Sequence, residues 1–212
     1  MTKIKLVIFD LDGTLADAYE AISKSVNFTL QKLGCPKASY LKIRKAVGWG
    51  DRRLLAAFIP EKDMDAALSI YRRHHRISLK KYSRLMPYSK GVLEYLRGNN
   101  IKAAIASNRP TEFTKILLNS LGIKGCFDYI LCADKLTEGK PNPEILLKIL
   151  RELKINPPQA LYVGDMVIDV ETGHNAGVKA IAVLGGSSTL AEIKKARPFK
   201  IIKSLASLRK HL

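Results

Sequence analysis

The sequence predicts an α/β protein with a doubly wound parallel sheet and an all-helical segment inserted after the first strand. Three observations lead to this fold: short apolar runs, helical patterns between them, and one long stretch without a strand pattern. Short, continuous apolar runs are typical of strands that are buried on both faces, as in a parallel sheet. Regular alternation of such strands with helices is typical of doubly wound folds.

The predicted strands are six apolar runs, each too short to form a helix. They are Leu6–Phe9, Ile101–Ala106, Tyr129–Cys132, Ala160–Val163, Ala180–Leu184 and Phe199–Ile202. Among the helical patterns, the stretch from Leu146 to Leu153 repeats its leucines and isoleucine along one face, with Asn142 as the expected N-cap and Pro143 as the first helical residue. We expect residues 1–15 and 86–212 to form one Rossmann-like catalytic core.

No strand pattern is recognisable between about residues 16 and 85. Helical patterns there cover Ala16–Leu33, Tyr40–Val47, Arg52–Phe58 and Asp63–Arg84. We therefore expect residues 16–85 to form an all-helical insertion after the first strand. It should join the core near Thr14–Asp17 and Arg84–Pro87.

The composition indicates a surface that attracts anions. The chain has 36 Lys and Arg against 19 Asp and Glu, a formal net charge of +17. Such a surface favours phosphate esters, nucleic acids or acidic lipids, although a host with generally basic proteins would give the same balance. The sequence contains no basic stretch interleaved with aromatic residues, the pattern that would indicate a nucleic-acid-binding protein. It also contains no apolar run long enough to cross a membrane.

The three cysteines, Cys35, Cys126 and Cys132, form no C-x-x-C pair, so neither a disulfide framework nor a zinc site is indicated. Free thiols of this kind are typical of a reducing compartment. The first ten residues also lack the apolar stretch of a signal peptide. We therefore expect a cytoplasmic protein.

Chemically reactive side chains follow four of the predicted strands. In an open α/β sheet, ligands bind beyond the carboxyl ends of the strands. Taken singly, each of these residues would be an ordinary helix cap, turn residue or surface lysine, but together they predict one site. In strand order they are Asp10, Asp12 and Thr14, then Ser107 and Asn108, then Lys140, then Asp165 and Asp169.

This set of residue types suits phosphoryl transfer. Crowded carboxylates repel one another, and a hard dication such as Mg²⁺ bound by oxygen atoms relieves the repulsion. Lys140 and Ser107 could hold phosphate oxygens. Asp10 could attack phosphorus as a nucleophile, and Asp12 could protonate the leaving oxygen and then activate water.

In this order, the strand-end residues resemble the motifs of the haloacid dehalogenase-like superfamily. The four matching segments are Asp10-Leu11-Asp12-Gly13-Thr14-Leu15, Ser107-Asn108, Lys140-Pro141 and Gly164-Asp165-x-x-x-Asp169. The helical insert is similar to the small cap of the phosphoglycolate phosphatase-like branch. This implies that residues 16–85 are a helical cap domain that moves over the core, with hinges near Thr14–Asp17 and Arg84–Pro87. Two residues depart from the branch's usual pattern, Ala18 where Ser or Thr is common and Met166 where a small polar residue is common.

The resemblance implies a Mg²⁺ cofactor and an aspartyl-phosphate intermediate. It implies that Asp10 is nucleophile and metal ligand, that Asp12 is acid and base with its carbonyl on the metal, and that Asp165 binds the metal directly. Asp169 would support the metal indirectly, through water or a neighbouring ligand. The residues expected to bind the phosphoryl group are Thr14, Ser107, Asn108 and Lys140, of which Ser107 and Lys140 also assist catalysis.

The expected function is hydrolysis of a small, anionic phosphorylated metabolite, phosphoglycolate-like or a sugar phosphate. A phosphosugar mutase or a pyrophosphatase would use the same core residues, and a basic nucleic-acid-binding protein is the alternative from another class. Asp12 argues against dehalogenation and phosphonate hydrolysis, since those enzymes lack an acid at this position. The sequence leaves the oligomeric state open.

Discrimination between substrates is expected to come from the cap. Gly48–Arg53 has the pattern of a loop between helices, and Trp49, Arg52 and Arg53 are candidates to reach a second anionic group of the substrate. A helix–helix turn with exposed arginines is the alternative. The basic run Arg72–Arg76 is expected to be a solvated helix face.

Overall fold

A computed structural model describes residues 3–212 of the chain. Its main sheet consists of β1 (Leu6–Phe9), β4 (Lys102–Ser107), β5 (Tyr129–Cys132), β6 (Ala160–Gly164), β7 (Lys179–Val183) and β8 (Lys200–Ile202). The strand order is β5-β4-β1-β6-β7-β8, and every neighbouring pair is parallel. All six predicted strands are present, which confirms the predicted α/β fold.

Strand β1 is the centre of this sheet, with β4 on one side and β6 on the other. The chain therefore winds outward in two directions from β1, and a crevice opens at the carboxyl end of that strand. The register pairs Phe9 with Ile105 of β4 and with Val163 of β6. Asp10, Ser107 and Asp165, which lie at or just beyond the ends of these strands, are thus placed along one edge.

Helices cover both faces of the sheet. They are α5 (Ser89–Gly98), α6 (Thr111–Ser120), α7 (Glu144–Leu153), α8 (Val167–Asn175) and α9 (Leu190–Ala196). Leu6 and Ile8 pack into one apolar cluster with α7, and the alternate residues Val7 and Phe9 pack into a second cluster on the opposite face. This alternation explains why β1 is apolar at every position.

Helix α7 begins one residue later than the sequence predicted. Pro143 is its N-cap, and Glu144 is its first residue. The predicted cap, Asn142, still satisfies a donor of the first turn, because its Oδ1 accepts a hydrogen bond from the Glu144 backbone N–H at 2.9 Å.

The segment between β1 and α5 is helical except at its two ends. It contains α1 (Tyr19–Lys32), α2 (Tyr40–Ala46), α3 (Asp51–Ala56) and α4 (Met64–Tyr82), close to the four expected patterns. The sequence predicted no strand here, but Ala16–Asp17 (β2) and Arg84–Leu85 (β3) pair antiparallel. Two-residue strands are too short to show a periodic pattern.

The ribbon of β2 and β3 coincides with the expected hinges. Ala16 pairs with Leu85 and Asp17 with Arg84, and the Arg84 guanidinium also donates to the Asp17 carboxylate at 2.9 Å. The chain thus leaves the core and returns to it at one place. The cap bounds at residues 16 and 85, and the cap's motion, remain predictions.

Within residues 3–212, no helix combines the length and the apolar character needed to cross a bilayer. Cys35, Cys126 and Cys132 are free thiols, and Cys132 is buried.

Two adjacent leucines of α7 test where the core lies. Leu146 is fully buried beneath the sheet, whereas Leu147 is 46% exposed. Leu146→Ala should lower the free energy of unfolding by about 2–5 kcal/mol because it leaves a cavity. Leu147→Ala should change it by no more than about 0.5 kcal/mol. Urea unfolding followed by circular dichroism measures both values, and equal losses would contradict this packing.

Candidate active site

The turn after β1 brings its acidic residues to the edge of the sheet. Asp10 continues the strand, since its N–H donates to the Val163 carbonyl at 2.8 Å. Gly13 then adopts a φ of +85°, where a Cβ atom would collide with Tyr19 and Asp165. Glycine at this position is therefore required both by the backbone conformation and by the close approach of Asp165.

Three buried carboxylates meet at this edge. Oxygen atoms of Asp10, Asp165 and Asp169 all lie within 4.8 Å of one another. Burial raises the pKa of Asp10 to about 7, with the Asp169 charge adding to the effect and Lys140 opposing it. Burial, followed by the charges of Asp10 and Asp169, also raises the pKa of Asp165 well above its usual value. Without a metal ion, the carboxyl groups of this cluster therefore resist becoming fully ionised.

The Lys140 ammonium lies among these carboxylates. Its Nζ donates to Asp10 at 2.6 Å, to Asp169 at 2.7 Å and to the Tyr162 hydroxyl at 3.0 Å. Burial alone would lower the pKa of Lys140, but the neighbouring charges of Asp10 and Asp169 hold it well above its usual value. Lys140 is therefore a permanent cation beside the carboxylate of Asp10.

Both carboxylate oxygens of Asp169 already accept hydrogen bonds from protein groups, so they are less available to bind a metal ion. Its Oδ2 accepts from the N–H groups of Asp165 and Met166 at 3.1 and 3.0 Å, just before α8. Its Oδ1 accepts from Lys140 and from Tyr162. Asp169 thus orients both Asp165 and Lys140, a position that suits the indirect support expected of it.

The residues expected to bind phosphate lie beside the carboxylates. Thr14 donates through its hydroxyl to Asp165 at 2.9 Å. Ser107 accepts from the Arg109 N–H at 3.2 Å, so its own hydroxyl hydrogen is left to donate. Asn108 uses its side chain differently: Nδ2 donates to the Gly48 carbonyl at 2.9 Å, and Oδ1 accepts from the Lys140 N–H at 2.9 Å. Its amide therefore connects the core to the α2–α3 loop.

The carboxylate of Asp12 is held by an arginine and does not join the cluster of the other three. It accepts two hydrogen bonds from the Arg109 guanidinium, from Nε at 2.9 Å and from Nη2 at 2.6 Å. Both side chains are largely buried. A bidentate pair of this geometry is strong and directional. Asp12 therefore faces an arginine, while its backbone remains in the turn next to Asp10.

A small cavity lies between the strand ends and the helical segment. Asp10, Asp12 and Ser107 line it from the core, and Tyr71 and His75 line it from α4. Its volume is about 50 Å³, and a single water molecule needs roughly 10–15 Å³ of such space. The cavity therefore suits a ligand group of a few atoms.

The donor set fits a hard dication. Asp10, Asp165 and Asp169 offer carboxylate oxygens at a common point, and burial disfavours their shared negative charge. Oxygen ligands of this type suit Mg²⁺, which retains waters and needs only a few protein ligands.

Comparisons with known proteins decide the family of the chain. The family model of the haloacid dehalogenase-like hydrolases matches residues 7–183. The chain belongs to this family. It is therefore a hydrolase, and its branch is phosphoglycolate phosphatase-like, as the resemblance of its motifs predicted.

Relatives of this hydrolase match it over nearly its full length. "Phosphoglycolate phosphatase" from Aquifex aeolicus is 32% identical over 94% of the chain and 96% of its own length. "Phosphoglycolate phosphatase 1" from Pseudomonas aeruginosa is 32% identical over 96% of the chain and 78% of its own length. A crystal structure of a predicted phosphoglycolate phosphatase from Haemophilus somnus superposes with a TM-score of 0.94 at 27% identity, covering 100% of the chain and 99% of its own.

The structure places the predicted specificity residues of the hydrolase outside the small cavity. Arg52 is exposed and forms ion pairs with Glu61 and Asp65. Arg53 lies over the Trp49 ring, 5.5 Å from its centroid, and the two line a separate surface groove. The sequence pattern could not show this placement. Glycines and arginines in a loop indicate that the loop is exposed, but they do not indicate whether its side chains point into the cavity or away from it.

Met166, one of the two departures from the branch's pattern, contacts the α2–α3 loop. Gly48 has a φ of +111°, and a Cβ atom there would collide with the Met166 thioether. The methionine thus fills space beneath the loop, and Gly48 is needed for this close approach.

His75 and Arg109 are among the cavity residues that the sequence prediction missed. The run Arg72–Arg76 was predicted to be a solvated face, but His75 is buried and only its neighbours Arg72 and Arg76 form exposed ion pairs. A signal for His75 was present in the sequence: it continues the buried face of α4, which comprises Met64, Ala67, Leu68, Tyr71, His75, Ser78 and Leu79. Arg109 follows Ser107-Asn108 directly and could have been included as a strand-end residue.

Thermal unfolding tests the metal site of the hydrolase. Mg²⁺ at one hundred times its dissociation constant should stabilise the folded chain by about 2.7 kcal/mol. Asp165→Asn should lose most of the resulting rise in midpoint, because it removes a proposed ligand, and Asp169→Asn should lose less. Asp65→Asn, whose side chain is 96% exposed, serves as the matched control and should retain the full rise. Equal rises in all three variants would exclude Asp165 from the site.

Proposed function

We propose that this hydrolase is a Mg²⁺-dependent phosphatase of a small phosphomonoester with an anionic leaving group, phosphoglycolate being the first candidate. One observation carries the proposal: Asp10 and Asp12 line the same small cavity. The Lys140 ammonium lies 2.6 Å from the Asp10 carboxylate. This arrangement offers a nucleophile and an acid to an ester bound in one cavity. The curated relatives from A. aeolicus and P. aeruginosa bear the name of that activity.

In the first step, a carboxylate oxygen of Asp10 attacks phosphorus and forms an aspartyl phosphate. The bond between phosphorus and the ester oxygen breaks, and Asp12 gives that oxygen its proton. Lys140 and the Ser107 hydroxyl offset the charge on the phosphoryl oxygens. Lys140 suits this task because it is buried and already within hydrogen-bond distance of Asp10.

In the second step, Asp12 takes a proton from water, which attacks the aspartyl phosphate and regenerates Asp10. Inorganic phosphate leaves. The same residue thus acts first as an acid and then as a base, as microscopic reversibility allows when both transfers occur at the same side of phosphorus. Asp12 is suitably placed because it follows the nucleophile by two residues and lines the same cavity.

Asp10, Asp165 and the backbone carbonyl of Asp12 would hold the Mg²⁺ ion, with Asp169 in support. When bound, Mg²⁺ supplies positive charge that offsets both the clustered carboxylates and the phosphoryl group. The raised pKa values of Asp10 and Asp165 support this assignment, because they reflect negative charge that the buried site disfavours.

Residues 16–85 would act as a cap that excludes water during the transfer and opens for release. Two contacts support this role: the Asn108 amide donates to Gly48, and the Arg44 guanidinium donates to the carbonyls of Gly185 and Gly186. These are hydrogen bonds between the segment and the core, which can break and reform. We place the enzyme in the cytoplasm, in keeping with its free cysteines.

A substrate panel tests the proposed activity. Purified protein with Mg²⁺ should release phosphate from phosphoglycolate faster than from sugar phosphates, nucleotides or pyrophosphate. Preferred release from pyrophosphate would favour a pyrophosphatase, and isomerisation of a sugar phosphate without release would favour a mutase. Full activity after exhaustive chelation would exclude the metal.

Replacing the nucleophile provides the sharpest single variant. Asp10→Asn keeps the shape of the side chain but removes its anionic oxygen, so turnover should fall by at least ~10³-fold. Mass spectrometry of rapidly quenched wild-type enzyme should show one phosphoryl group on the peptide that contains Asp10. Circular dichroism checks that the variant is folded. Turnover near the wild-type rate would exclude Asp10 as the nucleophile.

A further inference from the structure

The buried guanidinium of Arg109 joins the predicted acid to the helical segment. Two of its nitrogens donate to the Asp12 carboxylate at 2.9 and 2.6 Å. Its third nitrogen, Nη1, lies 2.8 Å from Nε2 of His75 on α4. Arg109 is only 7% exposed, so the cost of burying its charge is offset by these partners.

His75 serves as a neutral acceptor for Arg109. Ser25 donates its hydroxyl hydrogen to the Ala21 carbonyl at 2.8 Å, so its oxygen accepts from Nδ1 of His75 at 3.1 Å. With the proton on Nδ1, Nε2 is free to accept from Arg109. Burial, and then the charge of Arg109, hold the pKa of His75 well below its usual value. His75 thus orients the guanidinium without neutralising it.

Arg109 is the one permanent cation among the described residues that line the cavity. The cavity's other lining side chains are apolar, acidic or polar and uncharged, for example Leu54, Asp51 and Ser107. An anionic group that enters the cavity beyond the phosphoryl group therefore has Arg109 as its cationic partner. Lys140 remains engaged with Asp10 and Asp169.

We propose, on the basis of the proposed phosphatase function, that Arg109 binds the carboxylate of the substrate's leaving group in place of Asp12. The Asp12 side chain marks the position, because a planar carboxylate already occupies the guanidinium fork. A substrate carboxylate has the same geometry and charge, so the exchange leaves Arg109 paired throughout.

The exchange couples recognition to catalysis. Once the substrate occupies Arg109, the released Asp12 carboxylate takes a proton from water, turns towards the ester oxygen and gives it that proton while phosphorus passes to Asp10. An ester with an uncharged leaving group cannot displace Asp12, which stays bound to Arg109. Such an ester should therefore have a lower kcat as well as a higher KM.

Two esters with the same number of carbon atoms provide the test: phosphoglycolate, and ethyl phosphate, in which a methyl group replaces the carboxylate. The measured quantity is the ratio of their kcat/KM values, which cancels effects common to both esters. Loss of a hydrogen bond to a charged group weakens binding about 10- to 150-fold. The ratio should fall by that factor in Arg109→Gln and by less in Arg109→Lys, which keeps the charge but not the fork. Arg97→Gln, at an exposed arginine of α5, should leave the ratio unchanged.

An unchanged ratio in Arg109→Gln would overturn the proposal, even if both rates fell, because Arg109 would then act only through Asp12. Calorimetry with folded Asp10→Asn, alone and combined with Arg109→Lys, gives the answer without turnover. Tighter binding of phosphoglycolate than of ethyl phosphate, reduced by Arg109→Lys, would support Arg109 even if the wild-type enzyme hydrolysed neither ester. Equal binding of the two esters would overturn the assignment of Arg109 while leaving phosphatase activity on other esters intact.

Discussion

The placement of one buried ammonium among buried carboxylates is the constraint on which the rest of the structure depends. Lys140 lies 2.6 Å from Asp10 and 2.7 Å from Asp169, although the three residues come from the end of β1, the loop before α7 and the first turn of α8. The buried carboxylates repel one another, and the Lys140 ammonium offsets this repulsion. A strand displacement that separated them would therefore leave a buried charge unpaired. The parallel register, the tight turn at Gly13 and the hydrogen bonds of Asp169 all serve this placement.

Most of the fold could be predicted because its strands are buried on both faces. Such strands are continuously apolar, and all six were recognisable from the sequence. The strand order was not predictable, since the apolar runs resemble one another and nothing in β1 specifies β4 and β6 as its neighbours. The β2–β3 ribbon was also missed, because each strand has two residues and its partner lies far away in the sequence. Tertiary pairing, rather than local preference, forms it.

The site divides in the same way. Asp10, Lys140 and Asp165 could be predicted to lie together because parallel strands carry their ends to one edge. Arg109 and His75 each had a local signal in the sequence, but their contact forms only when α4 packs against the core, and no local pattern predicts it. Arg52 and Arg53 are the opposite case: their charge predicted a role in specificity, and the structure places them outside the small cavity. Composition shows which groups are present, whereas packing decides which of them are buried.

The ribbon that joins the helical segment to the core has an evolutionary consequence. Ala16 and Leu85 are paired neighbours, so the whole excursion between them begins and ends at one point on the core. A gene segment encoding such an excursion can be lengthened, shortened or replaced without moving any strand of the main sheet. Recombination at these two positions would place a different helical segment over the same acidic edge in a single event. The set of esters that the site accepts would change with it.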